Sequence, residues 1–288
     1  MKMNKNLNVL IVGLGLLGGS YAMALKNKGY KVFAITKEQE DIDFAIEKGI
    51  IDGGSAFVDK QLLNTADLII FALYPEVFVN WIKENGKYIP SGAIVTDVTG
   101  VKGEIVEKVQ IALEGKAEFI SAHPMAGREV GGIKNADCAI FNGANYIVVP
   151  TEKNSEDATE LCCDLGKELG FSRIAVLSVN EHDEMIAFLS QLTHCIAVSL
   201  MCCSDNERLV EYTGDSFRDL TRIAKINDEM WSELFLMNKS ALLKQMDIFT
   251  QRFDDLKNAL KNDDRETMRE MMRCSTHRRA AFDRKEEN

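Results

Sequence analysis

His123 stands directly after the apolar run 119–122 and is followed by Pro124, Met125, Ala126 and Gly127. A residue before proline is held out of the helical region, so this imidazole can be fixed rigidly at the end of a strand. Imidazole titrates near neutrality and can take a proton from a hydroxyl or polarise it. His123 is therefore the candidate catalytic residue; the plain alternative is a loop histidine without chemistry. Ser190 and His194 lie four apart on a predicted helix and project from one face. Arg218, Asp219 and Arg222 fall within little more than one turn of another. A guanidinium fork suits a substrate carboxylate, and a neighbouring Asp can orient it. Core histidines and helix-surface ion pairs would account for the same residues. No Cys, His, Asp and Glu set has metal-ligand spacing, so no metal is expected.

Gly13-Leu14-Gly15-Leu16-Leu17-Gly18 lies between the first apolar run and the first helical stretch, where a dinucleotide fold needs it. Gly13 would permit the tight turn, Gly15 the approach of backbone to a pyrophosphate, and Gly18 close helix–strand packing. The helix N-terminus behind them offers N–H groups and a positive dipole end to phosphates. Leu73 and Thr99 are assigned to the same cofactor. At the end of the second strand, where an NAD binder usually carries Asp or Glu, stand Thr36 and Lys37, followed by Glu38. A hydroxyl and an ammonium suit a 2′-phosphate, which favours NADP; NAD remains the alternative if Glu38 takes the ribose.

The elements that must position these groups follow from hydrophobic patterning. Residues 7–12, 31–35, 67–72, 93–96, 118–121, 146–149 and 173–177 read as fully buried strands, with helical patterns between them. The fold class expected is α/β, a Rossmann-type doubly wound, mostly parallel sheet followed by an all-helical dimerisation domain. The domains are placed at 1–178 and 179–288. Beyond residue 179 apolar residues step by three and four, and Leu242, Met246, Phe249, Phe253, Leu256 and Leu260 form an a/d seam. The seam is either the inner stripe of a monomeric bundle or, as favoured here, the contact of a homodimer through the C-terminal helices. Asp263 and Glu266 are expected to form a capping box for the last helix.

With 288 residues, 46% of them hydrophobic, the chain can bury two cores. A net charge of -10 argues against binding the phosphate backbone of nucleic acid. No apolar run is expected to approach the roughly 18 residues that span a bilayer. The basic start is interrupted by glycines and is not expected to be a signal peptide. Seven cysteines without CxxC spacing point to reduced thiols and a cytoplasmic location.

Together these motifs resemble the prephenate dehydrogenase family, which includes arogenate and cyclohexadienyl dehydrogenases. The resemblance spans nearly the whole chain. It rests on the glycine run from Gly13 to Ser20, on Thr96-Asp97-Val98-Thr99-Gly100-Val101-Lys102 and on His123-Pro124-Met125-Ala126-Gly127-Arg128-Glu129. It continues through His182-Asp183, Ser190-Gln191-Leu192-Thr193-His194 and Phe217-Arg218-Asp219-Leu220-Thr221-Arg222-Ile223-Ala224. It implies oxidative decarboxylation of prephenate, or of arogenate, with hydride transfer to NAD(P) in tyrosine biosynthesis. It implies that His123 engages the ring hydroxyl and that Glu129 is an acid at the substrate entrance. It also implies that Ser190 and His194 face substrate and nicotinamide, and that Arg222, with Asp219 beside it, holds a carboxylate. Trp231 resembles a tryptophan reaching the site from the partner subunit. Many relatives carry serine at Gly100, so Thr99 or a water would have to supply that hydroxyl here. Arg128 replaces a small hydroxyl residue, and Thr193 stands where many relatives have Pro. A β-hydroxyacid dehydrogenase and a non-catalytic dinucleotide sensor are the competing readings. The length is expected to leave no room for an added mutase or amino-acid-sensing segment.

Overall fold

The computed structural model describes residues 2–128 and 130–283. Two compact units divide the chain, Met1–Lys239 and Ser240–Asn288.

In the first unit six parallel strands lie in the order β3-β2-β1-β4-β5-β6. They are β1 (Asn8–Val12), β2 (Lys31–Ile35), β3 (Gly53–Ser55), β4 (Leu68–Phe71), β5 (Ile94–Asp97) and β6 (Glu118–Phe119). Between them run α1 (Leu16–Asn27), α2 (Gln39–Glu47), α3 (Lys60–Asn64), α4 (Pro75–Asn85) and α5 (Gly103–Ala112). Strand geometry sends successive side chains to opposite faces. Val9 and Ile11 accordingly enter one buried cluster with Tyr21 and Leu25 of α1. Leu10 and Val12 enter another with Phe78 and Ile82 of α4 and Val106 of α5. Both faces of the sheet are covered, which is why these strands read as unbroken apolar runs.

The expected strand 118–121 is split. After Ile120 the chain leaves the first sheet, and β7 (Ser121–Pro124) pairs antiparallel with β8 (Asn145–Val149), which pairs parallel with β9 (Arg173–Val176). Ser121 and Ala122 turn toward Asp97 at the end of β5, and that polar anchor ends the parallel pairing. Helix α6 (Glu156–Leu169) connects β8 to β9 and ends at Gly170, whose φ of 92° suits the left-handed cap.

The helical part opens with a Ser178–Glu181 capping box on α7 (Val179–Ile186). A π-helical segment, Ala187–Leu192, leads directly into α8 (Thr193–Met201). This continuous run of 23 residues is long and apolar enough to cross a membrane by length and composition, which corrects the expectation that no run approaches that size. It carries His182, Asp183 and Gln191, all buried and hydrogen-bonded within the protein. Those pairings fix the part of the run from His182 to Gln191 against the rest of the fold. Only 28% of its apolar window is buried in one chain. Helices α9 (Leu209–Tyr212), α10 (Asp215–Thr221) and α11 (Asp228–Met237) follow.

The second unit comprises most of α12 (Lys239–Lys261) and α13 (Arg265–Arg279). Along the a/d seam Leu242 is buried, whereas Phe253 and Leu260 are 60% and 65% exposed. The capping residue of α13 is Asp264, whose carboxylate accepts from the Thr267 amide at 3.0 Å. This corrects the expected Asp263–Glu266 box: Asp263 has a φ of 54°, outside helical geometry, and Glu266 pairs with Arg269 and Arg273.

Candidate active site

The glycine turn sits at the carboxyl edge of the parallel sheet. Gly13 has a φ of 100°, and a Cβ there would lie 2.5 Å from the Ala72 carbonyl oxygen and 2.8 Å from Leu73 Cδ2. A Cβ on Gly18 would stand 1.9 Å from the Gly13 oxygen. Turn and helix α1 therefore touch through backbone, an approach that side chains would forbid. Gly15, the N-cap of α1, has open space where its Cβ would be and no side chain capping the helix. The first turn of α1 carries no acidic residue. A backbone cradle at an uncapped helix N-terminus fits a pyrophosphate, with Leu14, Leu16 and Leu17 supplying the remainder of the loop. At the end of β2, Thr36 donates its amide to the Ser55 carbonyl at 3.1 Å. Lys37 is exposed, and Glu38 is the N-cap position of α2.

Beside this edge a buried lock joins β5 to β7. The Lys102 ammonium is wholly buried and donates to Asp97 Oδ2 at 2.9 Å, to the Thr99 hydroxyl at 3.2 Å and to the Ala122 carbonyl at 2.6 Å. Asp97 Oδ1 accepts from the Ser121 hydroxyl at 2.6 Å and the Ala122 amide at 3.1 Å. Burial pulls the Lys102 ammonium below the ordinary lysine range, opposed by the adjacent Asp97. Thr99 is buried, with its hydroxyl donating to Asp97 and accepting from Lys102. It is thus part of the lock: of the two substitutes expected for the hydroxyl missing at Gly100, Thr99 or a water, the Thr99 hydroxyl is engaged by Asp97 and Lys102.

The lock carries His123 at the end of β7. Its Nδ1 lies 2.8 Å from Nε2 of His182, whose own Nδ1 lies 2.7 Å from Asp183 Oδ1. The Asp183 carboxylate also accepts from the Lys102 and Gly103 amides, at 3.0 and 2.8 Å. A Cβ on Gly100 would lie 3.9 Å from His123 Nε2 and 3.7 Å from Leu234 Cδ2. The glycine thus leaves room beside the second ring nitrogen. Burial, then the neighbouring His182 and Lys102, hold His123 well below the ordinary histidine range. His182 is lowered mainly by burial, with Asp183 acting against it. Both rings are accordingly neutral near pH 7.

The π-helical segment brings Ser190, His194 and Trp231 together. His194 Nδ1 meets the Ser190 carbonyl at 2.9 Å, and its ring stacks on Trp231 at 3.7 Å between centroids and 30° between planes. The expected tryptophan from a partner subunit thus meets His194 of its own chain. Gln191 donates to the Leu234 carbonyl at 2.9 Å and accepts from Asn238 at 2.8 Å, fixing α11 against this helix. The 3-10 turn Arg222–Ala224 packs on α8, with Arg222 and Asp219 exposed. Arg218 pairs with Asp215 at 2.9 Å. Arg128 pairs with Asp137, and Glu129 lies outside the described residues.

Sequence patterning missed the Asp97–Lys102 lock and the role of Asp183. Their only local signal is a polar run, Thr96 to Lys102, directly after a wholly apolar strand.

Residues 21–174 match the sequence profile described as the prephenate dehydrogenase nucleotide-binding domain, and residues 178–274 that of the prephenate dehydrogenase dimerization domain. Prephenate dehydrogenase of Lactococcus lactis is 31% identical over 86% of this chain and 70% of its own length. The crystal structure of Aquifex aeolicus prephenate dehydrogenase, in complex with hydroxyphenyl propionate and NAD+, superposes with a TM-score of 0.88. It is 28% identical and covers 98% of this chain and 99% of its own. Synechocystis arogenate dehydrogenase superposes with a TM-score of 0.82 at 25% identity, covering 96% and 99%. The two profile matches together span most of the sequence, and the chain belongs to the prephenate dehydrogenase family.

Proposed function

We propose that the protein is an NAD(P)-dependent prephenate dehydrogenase, converting prephenate to 4-hydroxyphenylpyruvate and carbon dioxide for tyrosine biosynthesis. The observation that carries this reading is the placement of His123, with Nδ1 engaged by His182 and Nε2 beside the gap at Gly100. A bound nicotinamide dinucleotide supplies the hydride acceptor. Gly13, Leu14, Gly15, Leu16, Leu17, Gly18 and Leu73 would hold it, with Thr99 supporting the wall from within. His123 Nε2 takes the proton of the ring 4-hydroxyl as hydride leaves C4. The bond from C1 to its carboxylate then breaks, its electron pair completes the aromatic ring, and the proton returns to the phenol oxygen. General-base assistance of this kind contributes about 10²–10⁴ in rate. Arg222, oriented by Asp219, grips a substrate carboxylate, while Ser190, His194, Trp231 and Glu129 complete the substrate side.

NADP is the preferred cofactor in this reading, because a hydroxyl and an exposed ammonium, Thr36 and Lys37, follow β2. The acting species is a homodimer through the helical domain 179–288, supported by the outward apolar residues Phe253 and Leu260. A cytoplasmic site agrees with seven free cysteines, of which Cys162 is pushed up to about 12 by burial and is inert. The test is initial rates with prephenate and arogenate, each crossed against NADP and NAD. Turnover of prephenate with NADP is the expected result; a preference for NAD would remove the role given to Lys37. Turnover of arogenate alone would make the protein an arogenate dehydrogenase, and no turnover by folded, nucleotide-binding protein would favour a sensor.

A further inference from the structure

His182 and Asp183 lie one and two hydrogen bonds behind His123, on the side away from its Nε2. We propose that Asp183 and His182 are positioning residues that hold His123 in the tautomer with hydrogen on Nδ1, leaving Nε2 bare for the substrate hydroxyl. The inference rests on the general-base role assigned to His123 above.

The direction of the relay follows from donor and acceptor chemistry. Both carboxylate oxygens of Asp183 receive backbone N–H groups, from Lys102 and from Gly103. A carboxylate so placed only accepts, and a bare imidazole nitrogen 2.7 Å from it would be repelled. His182 Nδ1 therefore carries a hydrogen. In a neutral ring that leaves His182 Nε2 as an acceptor, and His123 Nδ1, 2.8 Å away, must donate to it. His123 Nε2 is then the free lone pair. An orienting carboxylate that fixes which nitrogen of a histidine is the base is a general device of acyl-transfer triads.

Two features keep His182 neutral. It is fully buried, and it lies in the first turns of α7, where the positive dipole end disfavours an imidazolium. The charged groups facing the relay are Lys102 and Asp97 from the β5 side and Asp183 from α7; Leu234 of α11 lies at the Gly100 end. Protonating His182 would place hydrogens on both its nitrogens. His123 Nδ1 would then have to accept, its hydrogen would move to Nε2, and the base would be lost without being protonated itself. The Asp183 main-chain carbonyl, moreover, accepts from Asn238 at 2.9 Å, so Asp183 is held through its backbone from the end of α11 and through its carboxylate from the start of α5.

The chain has four histidines, so ring-nitrogen NMR of histidine-labelled protein can resolve them. Wild-type protein should show His123 with hydrogen on Nδ1, with or without substrate turnover. A wild-type His123 protonated on Nε2 would overturn the proposal whatever the variants do. H182L should lower kcat about a hundredfold or more while KM for prephenate stays within about threefold, with His123 shifted toward the other tautomer. H182Q, whose amide oxygen can accept from His123 Nδ1, should recover kcat to within about tenfold and keep the wild-type tautomer. D183N should resemble H182L. Equal loss in H182L and H182Q with an unchanged tautomer in both would make the role structural and contradict the proposal. Failure of wild-type turnover would refute the general-base reading and leave the tautomer measurement to judge this one.

Discussion

The two walls of the crevice are made of different material. On one side the glycine turn at Gly13, Gly15 and Gly18 shapes its cradle from backbone, and a Cβ added at Gly13 or Gly18 collides with a main-chain oxygen. On the other, His123 is held by buried side chains: Asp97, Lys102 and Ser121 fix its strand, and His182 with Asp183 fixes its ring. Binding a phosphate needs only N–H groups and a dipole, which every helix N-terminus has. Directing a proton needs a particular nitrogen in a particular state, which only a chain of paired polar groups can impose. The first wall should therefore govern affinity for the nucleotide and the second the chemical step.

The strongest test of that division is H123A, which should lower kcat by about 10²–10⁴. Nucleotide affinity, read by fluorescence titration, should be unchanged; parallel loss of both would erase the distinction. K102M leaves the Asp97 carboxylate buried without its cation and should destabilise the fold by about 3–5 kcal/mol in denaturant melts. In the proposed reading Arg222 grips substrate and not nucleotide, so R222A should leave nucleotide affinity unchanged. Losing a charge-assisted contact worth about 1.5–3 kcal/mol should raise KM roughly 10- to 150-fold with little change in kcat.

Proton linkage gives a smaller effect. Burial holds His123 and His182 below the ordinary histidine range when folded, whereas the unfolded chain titrates near the usual value of about 6.5. Below about pH 6.5 the unfolded state binds protons that the folded state does not, so stability must fall as pH falls. The slope is up to about 1.4 kcal/mol per pH unit for each histidine, and it ends once the folded-state values are passed. Melts from pH 7.5 down to about 5 measure it; stability rising toward acid in this window would contradict the burial of neutral rings. The smallest change is expected from G100S. Its Cβ meets only ordinary contacts, and its hydroxyl can reach His123 Nε2, so the protein should stay folded with kcat altered less than about tenfold.

The nucleotide half was legible because its signals are local. Val9 and Leu10 belong to opposite buried faces and so read as one apolar run, and Gly13 to Gly18 follow at fixed spacing. Strand β3 was invisible because Gly53, Gly54 and Ser55 carry no hydrophobic pattern. The strand break at Ile120 was hidden because Ser121 answers to Asp97, 24 residues earlier. For the same reason His182-Asp183 could be seen as a motif but not as a relay: its meaning depends on amides 80 and 81 residues away, at Gly103 and Lys102. Trp231 shows the limit from the other side, since stacking on His194 of the same chain has no trace in spacing.

The central claim is that hydride transfer from substrate is coupled to loss of its ring carboxylate. Reduced nicotinamide and carbon dioxide should be measured together during turnover of prephenate by the wild-type protein. The expected result is one carbon dioxide for each nicotinamide reduced, with both rates falling together in H123A. Reduction without carbon dioxide would contradict the claim and return the chain to simple alcohol oxidation.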